Sequence, residues 1–183
     1  MQEFSYHLRI PKDRIAVIIG VKGKIKKELE ELTKSKLSID SGEGEVSMTG
    51  SDSFKLFILK EVIRSIGRGF NPEIAMLLLK QDYVLEVISL NEYTPDKNHQ
   101  QRLKGRVIGT DGKSREIIES LTDTYICVYG KTISIIGSSL AVMQTRRAIE
   151  MLLKGSMHST VFRVLEKYRR DTRKQELMET GQW

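Results

Sequence analysis

One short stretch occurs twice in this chain and constrains its architecture more than any other feature. Ile18-Ile19-Gly20-Val21-Lys22-Gly23-Lys24 is matched by Val107-Ile108-Gly109-Thr110-Asp111-Gly112-Lys113. Two apolar residues, a glycine, two variable residues, a glycine and a lysine make a tight turn ahead of a helical run. Glycine carries no Cβ, so a sugar-phosphate backbone can approach the main chain closely at both ends of that turn. With Gly20 set on Gly109, an offset of 89 residues, Leu32-Thr33 falls on Leu121-Thr122 and Leu37-Ser38-Ile39 on Ile126-Cys127-Val128. Gly50 then falls on Gly137 at an offset of 87, so the first copy carries two extra residues in the turn 41–45. A gap confined to a turn, with core positions aligned on both sides, marks a duplicated domain.

The repeat divides the 183 residues into two small domains of roughly 70 to 90 residues each. We place the first at 1–70, a connecting helix at 71–82, the second domain at 83–155 and a basic helical extension at 156–183. No apolar run approaches the ~20 residues needed to span a membrane, and Met1-Gln2-Glu3 lacks a signal-peptide pattern. The expected setting is the cytoplasm, without membrane attachment. The single Cys127 excludes an internal disulfide framework, and its neighbours Ile126 and Val128 suggest a buried strand position. Net charge is +6, of which residues 1–70 contribute +3 (13 basic, 10 acidic), so the basic bias is shared between the halves. A phosphate-bearing partner fits this balance but is not required by it.

Each copy spells the same order of elements. Phe4, Tyr6, Leu8 and Ile10 alternate with polar residues, as in a half-buried strand. Pro11-Lys12-Asp13 opens a short helix that Gly20 ends, and a second helix follows Gly23 with Ile25, Leu29 and Leu32 on one face. Two strands around Leu37–Ile39 and Val46–Met48 come next. A long helix carrying Phe54, Phe57, Ile58, Val62 and Ile66 closes the unit, giving βααββα. Asn71 and Pro72 suit the start of the connecting helix, which runs to Leu79. The second copy opens with a strand over 84–90, passes through a polar stretch 95–101 expected to be a loop, and rejoins the pattern at Leu103. Strands at 125–129 and 132–136 and a helix at 140–153 complete it; residues 175–183 show no clear pattern. The expected core is Phe4, Tyr6, Leu8, Leu29, Leu32, Ile39 and Val62 in the first unit. In the second it is Leu85, Val87, Ile118, Leu121, Val128, Ile135 and Ile149.

An apolar pair, G-x-x-G, a basic residue and a helix within a βααββα unit resemble the type I KH RNA-binding domain. The resemblance implies an α+β fold of two tandem type I KH domains, each a three-stranded antiparallel sheet packed on three helices. In that family the G-x-x-G loop clamps the backbone of about four single-stranded nucleotides. Bases then lie on an apolar floor, here side chains such as Ile19, Ile25 and Ile39, or Ile108 and Val128. Carried onto this chain, the RNA-binding set is Ile19, Gly20, Val21, Lys22, Gly23, Lys24 and Lys26 in the first unit. In the second it is Arg106, Ile108, Gly109, Thr110, Asp111, Gly112, Lys113 and Arg115. The runs 103–109, 129–137, 148–155 and 158–166 resemble, more narrowly, the archaeal Partner-of-Nob (Dim-two) family of small-subunit assembly factors. That likeness implies single-stranded RNA near the 3′ end of small-subunit ribosomal RNA as ligand. It also implies the Nob endonuclease and the alpha subunit of translation initiation factor two as partners.

Two departures from the KH pattern stand out. The position three residues after the second glycine, usually Ile, holds Lys26 and Arg115, and Asp111 places a carboxylate inside the second loop. The first loop, with Lys22, Lys24, Lys26 and Lys27, has the charge of a better phosphate clamp. A protein-binding KH scaffold, for example with an exosome or an initiation factor, is the alternative function. Gly112-Lys113-Ser114 ends like a P-loop, but Val107 stands where the leading glycine is needed, and the first copy lacks the hydroxyl. His7, His99 and His158 have no metal-ligand spacing, and His158 suits a helix start. With no nucleophile–base set visible, neither catalysis nor a cofactor is expected. The segment 161–174 carries Arg163, Lys167, Arg169, Arg170, Arg173 and Lys174 interleaved with Glu166 and Asp171. It reads either as a solvated helix with i, i+4 pairs or as a helix that contacts an RNA backbone.

Overall fold

Phe4, Tyr6 and Leu8 lay down β1 (Phe4–Arg9), which pairs antiparallel with β3 (Glu45–Gly50), and β3 pairs antiparallel with β2 (Lys36–Asp40). The strand order β1-β3-β2 is repeated as β4-β6-β5 in a second three-stranded antiparallel sheet. We describe residues 3–180 of a computed structural model, with side chains to residue 178. Met1, Gln2 and residues 181–183, which enter the expectations about the two termini, lie outside the described residues. The chain separates into two units at Leu85/Glu86, within β4 (Tyr83–Ser89).

In the first unit α1 (Lys12–Ile19), α2 (Lys24–Thr33) and α3 (Ser53–Gly67) cover the sheet. Asp52 caps α3, its side chain accepting from the amides of Phe54 and Lys55. The core is Ile15, Ile18, Leu29, Leu37, Val46, Met48, Leu59, Val62 and Ile66, with Phe4, Tyr6, Leu8 and Ile39 half-buried at its margin. Leu32, expected inside, is 52% exposed, because α2 turns Leu29 and Thr33 inward. The Thr33 hydroxyl donates to the Leu29 carbonyl at 2.6 Å, which lets a polar residue take the buried place. Phe54 and Phe57 are likewise exposed, since α3 buries Leu56, Leu59, Val62, Ile63 and Ile66. The Lys60 ammonium instead lies 4.5 Å from the Phe57 ring centre. The connecting segment is one α-turn, α4 (Pro72–Ala75), continuing as a 3-10 turn over Met76–Leu79. It packs on α3 and belongs with the first unit.

The second unit repeats the plan with α5 (Lys97–Ile108), α6 (Lys113–Thr122), β5 (Tyr125–Tyr129), β6 (Thr132–Ser138) and α7 (Ser139–Leu153). β5 and β6 pair antiparallel. Its core includes Leu90, Leu103, Val107, Ile118, Ile126, Ile133, Ile135, Ile149 and Leu152, with Leu121 and Val128 packed at the edge. Leu85 and Val87 are only half-buried; Ile88 and Leu90 take the inner places at the end of β4. Cys127, expected to be buried, is half-buried in β5.

The polar stretch 95–101 is helical from Lys97, not a loop. Asp96 caps α5 by accepting from the Asn98 and His99 amides. Gln100 is buried and satisfied, donating to the Asn91 side chain at 2.9 Å and the Thr94 carbonyl at 2.8 Å. A satisfied polar core residue leaves no apolar signature in the sequence. The extension forms one helix, α8 (His158–Thr180), so residues 175–180, patternless in sequence, continue it. Val161 and Leu165 dock it into the second core.

Candidate nucleic-acid interface

Each G-x-x-G stretch is a single 3-10 turn between two α-helices. In the first, Gly20 has φ 70° and ψ 176°, Lys22 φ 53° and ψ 28°, and Gly23 φ 75° and ψ 16°. In the second, Gly109, Asp111 and Gly112 repeat these conformations with φ 74°, 54° and 78°. The two glycines of each loop do different jobs. A Cβ on Gly20 would lie 2.5 Å from Ile25 Cγ1, and one on Gly109 2.6 Å from Ser114 Cβ, so these glycines let the two helices close on one another. A Cβ on Gly23 would meet nothing within 4 Å; this glycine serves the left-handed backbone and keeps the approach to the loop open.

The left-handed residue between the glycines is Lys22 in one loop and Asp111 in the other. Asp adopts this conformation more readily than Lys, which gives Asp111 a local structural reason independent of charge. No side chain caps α2 or α6 at its N-terminus. The Lys24 amide donates to the Val21 carbonyl and the Lys113 amide to the Thr110 carbonyl, and with no side-chain cap the helix dipole at each N-terminus favours a negative charge. Val21 is 82% exposed, and Lys22, Lys24, Thr110, Asp111 and Lys113 are exposed around the same turns. Ile19, Ile25 and Ile39, like Ile108 and Val128, are half-buried.

Three charged positions are placed differently from the loop residues. Arg106 points away from the turn: its Nε donates to the Leu152 carbonyl at 2.9 Å and its Nη2 to the Ser156 carbonyl at 2.6 Å. Its own carbonyl accepts from His158 Nε2 at 2.7 Å, fixing the start of α8. Arg115 is half-buried with Nε 3.7 Å from Glu119 Oε2. Lys26 occupies the equivalent half-buried place in α2. Glu119 in turn accepts from the Ile126 amide at 2.6 Å, tying α6 to β5. Glu30 does the same for the Leu37 amide at 2.7 Å, tying α2 to β2. Burial raises the Glu119 pKa, opposed by the Ile126 amide and the Arg115 charge.

Sequence reasoning missed these ties and the Arg clamp, since each partner lies on another element. It also missed an open cleft of about 590 Å3 beside the second loop, lined by Arg102, Gly109, Thr110, Lys113, Ser114, His158 and Phe162 among others.

A βααββα unit with an uncapped helix after a left-handed G-x-x-G turn defines the class of single-strand RNA-binding KH domains. The chain belongs to the KH-domain family: residues 84–170 match the eukaryotic-type KH domain (KH domain type I) and residues 5–58 the KH domain. It is 46% identical to the KH domain-containing protein of Methanocaldococcus jannaschii over 88% of this chain and 73% of that protein. It is 30% identical to the pre-rRNA-processing protein PNO1 of Coccidioides immitis over 79% of this chain, spanning about half (52%) of that relative. Among solved structures, Dim2p of Pyrococcus horikoshii superposes with a TM-score of 0.84 at 42% identity, covering 90% of this chain and 99% of that one. A chain of the a/eIF2alpha–aDim2p–rRNA complex from the same organism gives 0.86 at 41% identity, covering 92% and 96%.

Proposed function

We propose that this protein binds single-stranded RNA near the 3′ end of small-subunit ribosomal RNA during assembly of the small ribosomal subunit, in the cytoplasm. It acts by holding RNA rather than by catalysis. The observation that carries this reading is the pair of exposed G-x-x-G turns, each opening a helix whose N-terminus no side chain caps. Phosphates sit against Gly20–Gly23 with Lys22 and Lys24 around them and Lys26 half-buried behind, and against Gly109–Gly112 with Lys113. Bases lie over Ile19 or Ile108. Arg106 and Arg115 shape the second site from behind the loop. Support for the setting comes from the relatives: one is named for pre-rRNA processing, and another was crystallised with rRNA and a/eIF2alpha. On that basis the alpha subunit of translation initiation factor two is a partner, and the Nob endonuclease acts beside it.

Asp111, whose carboxylate opposes a phosphate, favours a second reading in which the second unit serves as a protein-binding scaffold. Binding assays at two salt concentrations separate the two readings. The ligands are the 3′-terminal ribosomal RNA strand, a scrambled strand and a duplex, tested with the unaltered protein, the Val21→Asp/Lys22→Asp variant and Thr110→Asp. RNA function predicts preference for the first strand, a modest salt slope and weakened binding in the first variant. Equal affinity for all three ligands contradicts it.

A further inference from the structure

On α8, Arg163, Lys167, Arg170 and Lys174 follow one another at spacings of four, three and four residues, and all four are exposed. At 3.6 residues per turn they fall within about 60° of arc and extend over about 16 Å of helix. Val161 and Leu165, which bury the helix against its unit, lie on the opposite side. The four cations make no ion pair among the described residues, although Glu166 and Asp171 flank them. Arg169, by contrast, turns inward to the Ser120 carbonyl and to Asp123. The same helix therefore spends one arginine on packing and leaves a row of four cations without an ion-pair partner among the described residues.

We propose that this row is a second RNA contact, which takes the phosphate backbone of a base-paired segment adjoining the strand held at the second loop. This rests on the RNA-binding reading of the loops. Three features select the ligand. The first turn of α8, through His158 and Phe162, lines the cleft that also contains Gly109, Thr110 and Lys113, so helix and loop flank one opening. The row holds no aromatic residue on which an unpaired base could stack, so it suits backbone contact alone. The exposed apolar residues of α8, Val164, Leu177 and Met178, lie beside the row or beyond Lys174, so the row itself lacks the central anchor that dominates protein interfaces, while two of its members are arginines whose planar forks fit phosphate.

The test compares three probes: a short single-stranded RNA, the same strand extended by a hairpin stem, and a polyglutamate peptide. Each is titrated against salt with the full chain and with the Arg163→Gln/Lys167→Gln/Arg170→Gln/Lys174→Gln variant. Gln is close to Lys and Arg in helix propensity, and circular dichroism checks folding; Lys167→Gln/Arg170→Gln serves if the fourfold variant fails to fold. The stem is expected to tighten binding by about tenfold, and the fourfold variant to lose that gain with a salt slope shallower by about 3 to 4. Single-strand affinity is expected to be unchanged. Equal hairpin binding by variant and parent overturns the inference. So does tighter binding of the peptide than of the hairpin, which would give the face to an acidic protein. Failure of the unaltered protein to hold the single strand counts against the loop reading instead.

Discussion

Arg14 and Arg106 stand three residues apart in the repeat, yet each holds an equivalent pair of carbonyls, one in the last turn of its closing helix and one three residues beyond that helix. Arg14 donates from Nε to Ile66 O at 2.9 Å and from Nη2 to Phe70 O at 2.7 Å. Arg106 does so to Leu152 O and Ser156 O. Three residues are close to one helical turn, so both side chains leave the same helix face toward the same target. What the duplication preserved is the clamp on the C-terminal ends of α3 and α7 and the turns that follow them, not the position of the arginine.

Replacing either arginine by Ala is expected to destabilise its own unit by roughly 2 kcal/mol, the scale for hydrogen bonds to charged groups. Amide hydrogen exchange reads the two units separately. In Arg14→Ala protection should fall in α1 and α3 and persist in α6 and α7; the reverse is expected for Arg106→Ala. Uniform loss across the chain would contradict independent clamps.

The two glycines of a loop are expected to answer differently to Ala. Gly23→Ala carries only the left-handed penalty of about 1 kcal/mol and loses RNA affinity, because its methyl group occupies the open approach. Gly20→Ala adds the 2.5 Å clash with Ile25 and is the more destabilising. Thermal melts ranked in the opposite order would refute the assignment.

Asp111→Asn keeps a residue at ease in the left-handed region and removes the charge. Stability is expected to stay within about 0.5 kcal/mol. RNA affinity of the second unit should rise at low salt and converge with the parent at high salt. An affinity gain that survives high salt would point away from electrostatics.

Glu119 supplies a pH test. Its pKa is raised, chiefly by burial, so the folded state holds the proton more tightly than the unfolded chain. Its contribution to stability is therefore full at low pH and is lost as pH rises from the ordinary carboxylate range through the raised value. Glu119→Gln keeps an acceptor for the Ile126 amide and removes this dependence. Denaturant unfolding of both proteins across that range should give curves that diverge as pH rises; parallel curves would exclude it.

Much of the candidate interface was legible because it is local. The G-x-x-G turn, its helix and the alternating strand flanking each copy all declare themselves within a dozen residues. Helix phase was less legible. Phe54 and Phe57 suggested an inward face, and their counterparts Leu140 and Met143 are equally exposed. An apolar side chain in a helix does not say which of two adjacent stripes meets the sheet. The helix over 97–108 was hidden because its buried members include Gln100, whose amide is satisfied by residues before the helix begins.

By itself the sequence determined the duplication, the βααββα order and the tight G-x-x-G turns, since glycine spacing and hydrophobic period act over neighbouring residues. Tertiary structure alone decided which cations are free. Arg14 and Arg106 find their carbonyls 46 to 56 residues away in the chain, and Arg169 packs against α6 while Arg163, Lys167, Arg170 and Lys174 on the same helix do not. A cation's partner is fixed by which backbone groups folding brings within hydrogen-bond reach, and no local pattern encodes that distance.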